Sequence, residues 1–161
     1  MQTKKLSGVF MMIMLIGFSA NAQGWAADDA QIKSKITEVL EAQGLKDVHF
    51  QQFPSRGSDK FWSILAKVPF DKIAQNPRKL AGEIATEALK SLVIWSRNNG
   101  LGLGQNEKDS ADICILSDTT GDTGQSRTYF FGSAYYNPRD DKISWSRSCG
   151  GTGNATSWPD N

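Results

Sequence analysis

The chain has 161 residues, with 18 Lys+Arg against 17 Asp+Glu, one histidine and two cysteines. This length predicts one domain, and the near-zero net charge argues against nucleic-acid binding, which needs a basic surplus to neutralise phosphates. A single histidine and two cysteines also exclude metal sites built from several such ligands, and we expect no metal and no cofactor.

Residues 1–22 have the pattern of a cleaved signal peptide. Lys4 and Lys5 precede an apolar run over residues 8–18, and Ala20-Asn21-Ala22 forms a small-x-small cleavage site. The apolar run has about half of the ~20 residues that a membrane-spanning helix needs, so we expect no stable membrane insertion. A buried amino-terminal helix is the alternative interpretation. The signal peptide predicts a periplasmic or secreted protein.

The exported part begins with a predicted helix and two predicted strands. Ile32, Ile36 and Leu40 recur at helical spacing after Asp28-Asp29, and Gly44 provides a stop. Residues 48–51 alternate apolar and polar side chains, and residues 61–68 do the same. The turn-forming residues 54–59 between them predict a loop, and thus a hairpin.

A longer helix is predicted from Asn76-Pro77 to Asn98-Asn99-Gly100, because Asn and Pro favour a helix start and Gly favours its end. A single apolar stripe along it is typical of a face packed in the core. The stripe consists of Leu80, Ala81, Ile84, Ala85, Ala88, Leu89, Leu92 and Val93.

Three further strands are predicted over residues 113–116, 127–136 and 143–149, followed by a polar, glycine-rich tail at 150–161 that we expect to be flexible. The element order αββαβββ predicts an α+β two-layer sandwich. In it, two helices pack on a mainly antiparallel sheet of about five strands. The single domain spans residues 23–149.

The two cysteines, Cys114 and Cys149, are expected to form a disulfide, because an exported protein folds in an oxidising compartment. The alternative is that one of them is a catalytic thiolate. That thiolate would need a general base, for which His49 is the only histidine.

Two segments resemble ion-binding loops only superficially. The glycine-rich residues 100–105 follow a helix, where carbonyl groups rather than amide groups are free, so they predict a connection and not a phosphate-binding loop. Residues 118–122 lack the alternating acidic residues and the closing glutamate of a calcium-binding loop of the helix-loop-helix kind. Neither segment predicts a metal or anion site.

The aromatic residues of the penultimate strand are the best candidates for a binding surface. With regular alternation, Tyr129, Phe131, Ser133 and Tyr135 share one face. Because only one side of a two-layer sheet faces the core, some aromatic side chains should be exposed, unless helices or loops cover both faces. Tyr, Trp and Arg dominate binding hot spots. The predicted binding residues are therefore Tyr129, Tyr135, Tyr136, Arg139 and Trp145.

These patterns predict a non-enzymatic protein-binding domain of the bacterial cell envelope, with another envelope or exported protein as its partner. An inhibitor, an immunity protein or an accessory component of a secretion or transfer system would fit. No catalytic residue is predicted. One alternative is a small secreted hydrolase, a nuclease or a wall-degrading enzyme, that uses His49 with Glu38, Glu41 or Asp47. Another is a carbohydrate or small-ligand binder that uses the aromatic face.

Overall fold

The computed structural model describes residues 29–53 and 61–159. The predicted signal peptide at 1–22 and the predicted loop at 54–59 lie outside the described residues. Within them, helices lie against one sheet, so the predicted α+β class is confirmed. The elements are α1 (Asp29–Glu41), β1 (Lys46–Gln52), β2 (Phe61–Lys67), α2 (Phe70–Ile73), α3 (Pro77–Asn98), β3 (Ser110–Thr120), β4 (Ser126–Asn137), β5 (Lys142–Ser146) and β6 (Thr156–Ser157).

The sheet has six strands and is mixed, which corrects the prediction of a mainly antiparallel sheet of about five strands. Its main path follows the order β1-β2-β3-β4-β5, and β6 pairs with β4. The pairs β2–β3 and β4–β6 are parallel. The connection over residues 68–109 contains both α2 and α3, and this crossover returns the chain to the end at which β2 began. A helical crossover joins parallel strands, whereas a tight turn joins antiparallel ones.

The predicted element order αββαβββ is also wrong, because the chain has the order αββααββββ. The extra helix, α2, is a single turn that begins after Pro69 and places Ile73 in the core. The extra strand, β6, has two residues and lies in the segment after β5. Neither is long enough to produce a periodic hydrophobic pattern.

The core lies between the sheet and the helices on one of its faces. Helix α3 covers β3, β4 and β5, and α1 packs beside it. The apolar stripe of α3 includes Ala85, Ala88, Leu89 and Leu92, which are fully buried. The sheet contributes Trp62, Ile64, Ala66, Ala111, Ile113, Ile115, Phe131, Ala134 and Tyr136. We call the other face of the sheet the open face.

A β-bulge in β4 changes which of its residues share a face. Ile115 lies opposite Gly132 and Leu116 opposite Phe130, so Phe131 is an extra residue in the pairing. Phe131 is fully buried and packs on the helix side with Ala134 and Tyr136. The prediction that Tyr129, Phe131, Ser133 and Tyr135 share one face is therefore wrong, because a bulge breaks the strict alternation of a strand.

Residues 147–159, here called the terminal segment, cross the open face and then turn around the edge of β4. Cys149 bonds Cys114 of β3, with S–S 2.03 Å and Cα–Cα 5.6 Å, so the predicted disulfide is confirmed. The Gln51 side chain donates to the Gly151 carbonyl, and Trp158 N donates to Phe130 O at 3.0 Å. The indole of Trp158 stacks on Phe131, with ring centroids 5.2 Å apart. The terminal segment thus reaches both faces of the sheet.

Candidate functional site

The open face carries a row of polar side chains that crosses three strands. Ser63 of β2 lies opposite Asp112 of β3, which in turn lies opposite Tyr135 of β4. Asp112 stands between Ala111 and Ile113, which both point into the core. Because side chains alternate along a strand, the two apolar neighbours fix the Asp112 carboxylate on the open face.

A groove of about 470 Å³ lies beside this row, at the end of the sheet where β3 begins and β4 ends. Tyr135 is 38% exposed, and it is the only exposed large aromatic side chain of the described residues. Arg139 lies on the same groove, in the turn between β4 and β5. The groove is lined by Glu107, Lys108, Ser110, Tyr135, Asn137, Pro138 and Arg139.

Two asparagines fix the backbone beneath the basic side chains of this groove. The Asn137 Oδ1 atom accepts a hydrogen bond from Arg139 N at 3.1 Å, and Asn106 Oδ1 accepts one from Lys108 N at 3.0 Å. Such bonds, from a backbone N–H to an Asn side chain two residues earlier, stabilise tight turns. These two hydrogen bonds therefore hold the backbone of both basic residues in a tight turn.

The electrostatics of the row are dominated by Asp112. Burial raises the pKa of the Asp112 carboxyl above its usual value, while a hydrogen bond with Ser63 opposes the increase. Its Oδ1 atom is buried without a hydrogen-bond partner among the described residues. Asp112 therefore sits in a less polar environment than a surface carboxylate normally has.

The structure brings together two of the five predicted binding residues, Tyr135 and Arg139. Tyr136 is 3% exposed and lies on the opposite face, where its hydroxyl donates to Asp141 Oδ1 at 2.9 Å. Trp145 also faces the helices and lies against Gly82 of α3. These two aromatic residues contact the helix layer.

Tyr129 lies at the far end of β4, in an aromatic cluster built by the terminal segment. Its ring meets that of Trp158 edge-on, with centroids 5.1 Å apart. Phe70 of α2 joins the same cluster, 5.3 Å from Trp158. Arg78 closes the cluster by donating to Phe131 O at 2.8 Å and to the Trp158 carbonyl. Tyr129 therefore contributes to packing at this end of the sheet.

Lys108 and Asp112 are part of the candidate site, although the sequence analysis did not select them. The sequence does contain a signal for Asp112, since a carboxylate within the apolar strand Ala111-Asp112-Ile113 is unusual. No comparable signal marks Lys108, because its place on the groove depends on how the glycine-rich connection folds back toward β4.

The other side chains that the sequence suggested for catalysis or ion binding do not form a shared site. His49 is exposed on β1, and no hydrogen bond or ion pair joins it to a carboxylate within the described ranges. Asp118 is paired with Lys67 at 2.7 Å and accepts a hydrogen bond from Thr128, which together hold its pKa below the usual value. Among the described residues, no group of three or more His, Cys, Asp and Glu side chains is arranged to hold a metal ion.

The comparisons with known proteins give no relative: no protein family, curated protein or solved structure matches this chain. Within the described ranges, no helix combines the length and the apolar character needed to cross a membrane. The groove and its residues are therefore the basis for assigning a function.

Proposed function

We propose that this chain is an exported, non-enzymatic protein-binding domain of the bacterial cell envelope. Its partner is another envelope or exported protein, which binds at the groove beside Tyr135. An inhibitor, an immunity protein or an accessory component of a secretion or transfer system would act in this way. The signal-peptide pattern at residues 1–22 supports the compartment.

The observation that carries the proposal is the exposed Tyr135 ring beside Arg139 on one groove. Tyr and Arg are enriched among the residues that contribute most to protein–protein binding, because each combines a large contact area with hydrogen-bond donors. The rim also carries Lys108 and Glu107, so a partner surface with charges of both signs would complement it. The two asparagine-stabilised turns reduce the ordering that binding requires.

The proposal is tested by site-specific cross-linking in cells. A photoreactive phenylalanine analogue at position 135 should give one dominant cross-linked protein. The matched control is the same analogue at Ile94, which is 48% exposed on α3 and does not line the groove. Equal cross-linking from both positions would contradict the proposal.

Purified partner and purified chain then allow the binding energy to be measured. Tyr135→Ala and Arg139→Ala should each weaken binding by about 30-fold or more, the effect of losing a hot-spot residue of about 2 kcal/mol. Ile94→Ala should bind as wild type does. If instead a glycan array is bound and Tyr135→Ala abolishes that binding, the site belongs to a carbohydrate binder and the proposed protein partner is wrong.

A further inference from the structure

The groove beside Tyr135 has two walls that come from different parts of the chain. One, here called the connection wall, is residues 104–108 between α3 and β3, and it contributes Lys108. The other, here called the turn wall, is residues 138–141 between β4 and β5, and it contributes Arg139. Both walls consist mainly of exposed residues, so the hydrophobic core does not hold the side chains that line the groove.

Arg97, in the last turn of α3, bonds to both walls at once. Its Nε atom donates to the Gly104 carbonyl at 2.8 Å. Its Nη2 atom donates to Asp141 Oδ1 at 3.0 Å, and the opposite charges form an ion pair. A planar guanidinium presents its donors in a fixed fork, whereas the ammonium group of a lysine is a single point charge. One side chain therefore bridges the connection wall and the turn wall.

The connection wall lies close against this end of α3. The Gln105 side chain donates from Nε2 to the Arg97 carbonyl at 2.7 Å, so bonds run in both directions between the wall and the helix. Gly104 has φ 80°, and a Cβ atom there would lie 2.8 Å from Val93 Cγ1 and 3.1 Å from Arg97 Nε. Glycine at this position thus permits the close approach on which the hydrogen bond from Arg97 depends.

The turn wall is connected to the core through Tyr136. The Tyr136 hydroxyl donates to Asp141 Oδ1 at 2.9 Å, the same oxygen that Arg97 contacts. The ring of Tyr136 is 3% exposed and belongs to the hydrophobic core. The hydrogen bond from Tyr136, and after it the charge of Arg97, hold the pKa of Asp141 below its usual value, so this carboxylate is ionised at neutral pH.

We propose that Arg97 is the positioning residue of the groove: by bridging the connection wall and the turn wall, it fixes the separation that a protein partner requires around Tyr135. This inference rests on the proposed function and identifies the side chain that prepares its site. Arg97 is not among the residues that line the groove, so it acts on the partner through the placement of Lys108 and Arg139. Walls that are fixed in advance lose less conformational entropy on binding.

The separation of the walls can be measured without a partner. Spin labels at Glu107→Cys and Asp140→Cys, two exposed positions on opposite walls, report the distance between them by electron paramagnetic resonance. Arg97→Lys should broaden the distance distribution by about twofold or more, because lysine keeps the charge but not the fork. Lys90→Arg, an equally conservative change at an exposed position of α3, is the matched control and should leave the distribution unchanged. An unchanged distribution in Arg97→Lys would overturn the proposal.

The effect on binding is measured in cells with the photoreactive phenylalanine analogue at position 135. Adding Arg97→Lys should lower the yield of the dominant cross-linked protein by about threefold or more, since the partner must then order the walls as it binds. Lys90→Arg should leave the yield unchanged. A yield that Arg97→Lys does not alter would overturn the positioning role alone. If the otherwise wild-type chain gives no dominant product, the proposed function is wrong, and this inference is wrong with it.

Tyr136→Phe distinguishes positioning from a purely structural role. The variant keeps the buried ring and removes only the hydroxyl that bonds Asp141. It should broaden the distance distribution in the same way as Arg97→Lys, while the melting temperature of each variant stays within about 5 °C of wild type. A lower melting temperature with an unchanged distance distribution would show that these side chains only stabilise the fold, and would overturn the proposal.

Discussion

Trp145 of β5 lies against Gly82 of α3, so closely that a Cβ atom at residue 82 would be 3.0 Å from Trp145 Cε2. The same indole passes over Gly132 of β4, where a Cβ atom would be 2.6 Å from Cζ2. Two glycines from different elements thus form the contact surface for one aromatic ring. Trp145 therefore holds α3 against the edge of the sheet. The sequence analysis had predicted it only as a binding residue.

The first prediction concerns Gly132, at the bulge of β4. Gly132→Ala should destabilise the fold by about 2–4 kcal/mol, because the new Cβ atom would lie 2.2 Å from the Ser146 carbonyl oxygen. The backbone there also has φ 146°, which side chains other than glycine rarely allow. Urea denaturation measures the change. The control, Gly121→Ala, has its nearest contact at 3.8 Å and should change stability by less than ~0.5 kcal/mol.

The second prediction concerns the disulfide between Cys114 and Cys149, which closes a loop over a sequence separation of 35 residues. Replacing both cysteines by alanine should lower the free energy of unfolding by about 3–4 kcal/mol, since the unfolded chain regains the entropy that the cross-link removes. Thermal denaturation of the variant and of wild type, with and without reductant, measures the difference. Equal stability of the four samples would contradict it.

The third prediction concerns the pH dependence caused by Asp112. Because burial raises its pKa in the folded state, the ionised carboxyl destabilises the fold at neutral pH, and this effect disappears as the pH falls to the unfolded-state value near 3.8. Asp112→Asn should therefore be more stable than wild type at pH 7. The difference in the free energy of unfolding between Asp112→Asn and wild type should decrease as the pH falls from the raised folded-state pKa of Asp112 to 3.8.

Other carboxylates have the opposite pH dependence, so only the difference between the two proteins tests this prediction. Asp118 has a lowered pKa, and its stabilising contribution is lost as the pH falls through that value in both proteins. Urea denaturation at pH 7 and near pH 3.8 gives the two differences. A constant difference across this window would show that Asp112 does not titrate as its environment requires.

The fourth prediction concerns Trp158, which anchors the terminal segment. Trp158→Ala should cost about 2–3 kcal/mol, less than the loss of a fully buried aromatic residue, because the ring is half-buried. It should also expose residues 150–159 to limited proteolysis, which tests the flexibility predicted for this part of the chain. Ile94→Ala, at an exposed position, is the control and should leave the cleavage pattern unchanged.

Long periodic elements were predictable from the sequence, and local irregularities were not. The stripe of α3 from Leu80 to Val93 predicted both the helix and the side that packs on the sheet. The bulge at Phe131 could not be predicted, because the residues around it have strand propensity in either register and only the pairing with Ile115 and Leu116 reveals it. That single extra residue moved Tyr129 to a different face from Tyr135.

Only part of the candidate site could be predicted from the sequence, because exposure depends on contacts with distant parts of the chain. Tyr135 and Arg139 follow from residue type and from their place in a strand and its turn. Whether an aromatic side chain is exposed depends on what covers it, and Trp158 covers Tyr129 from 29 positions further along the chain. Single-sequence patterns extend over one element at a time, so contacts of this range lie beyond them.

The parallel pairing of β2 with β3 has a consequence for how the chain reaches its fold. Lys67 and Leu116 are neighbours in the sheet, yet the whole helical crossover must be placed before they can meet. The central pair of strands therefore depends on distant segments finding each other, which slows folding relative to a sheet made of hairpins. Until that crossover is complete, the β1–β2 hairpin exposes the apolar residues Trp62, Ile64 and Ala66 to solvent, and folding intermediates would be prone to aggregation at this point.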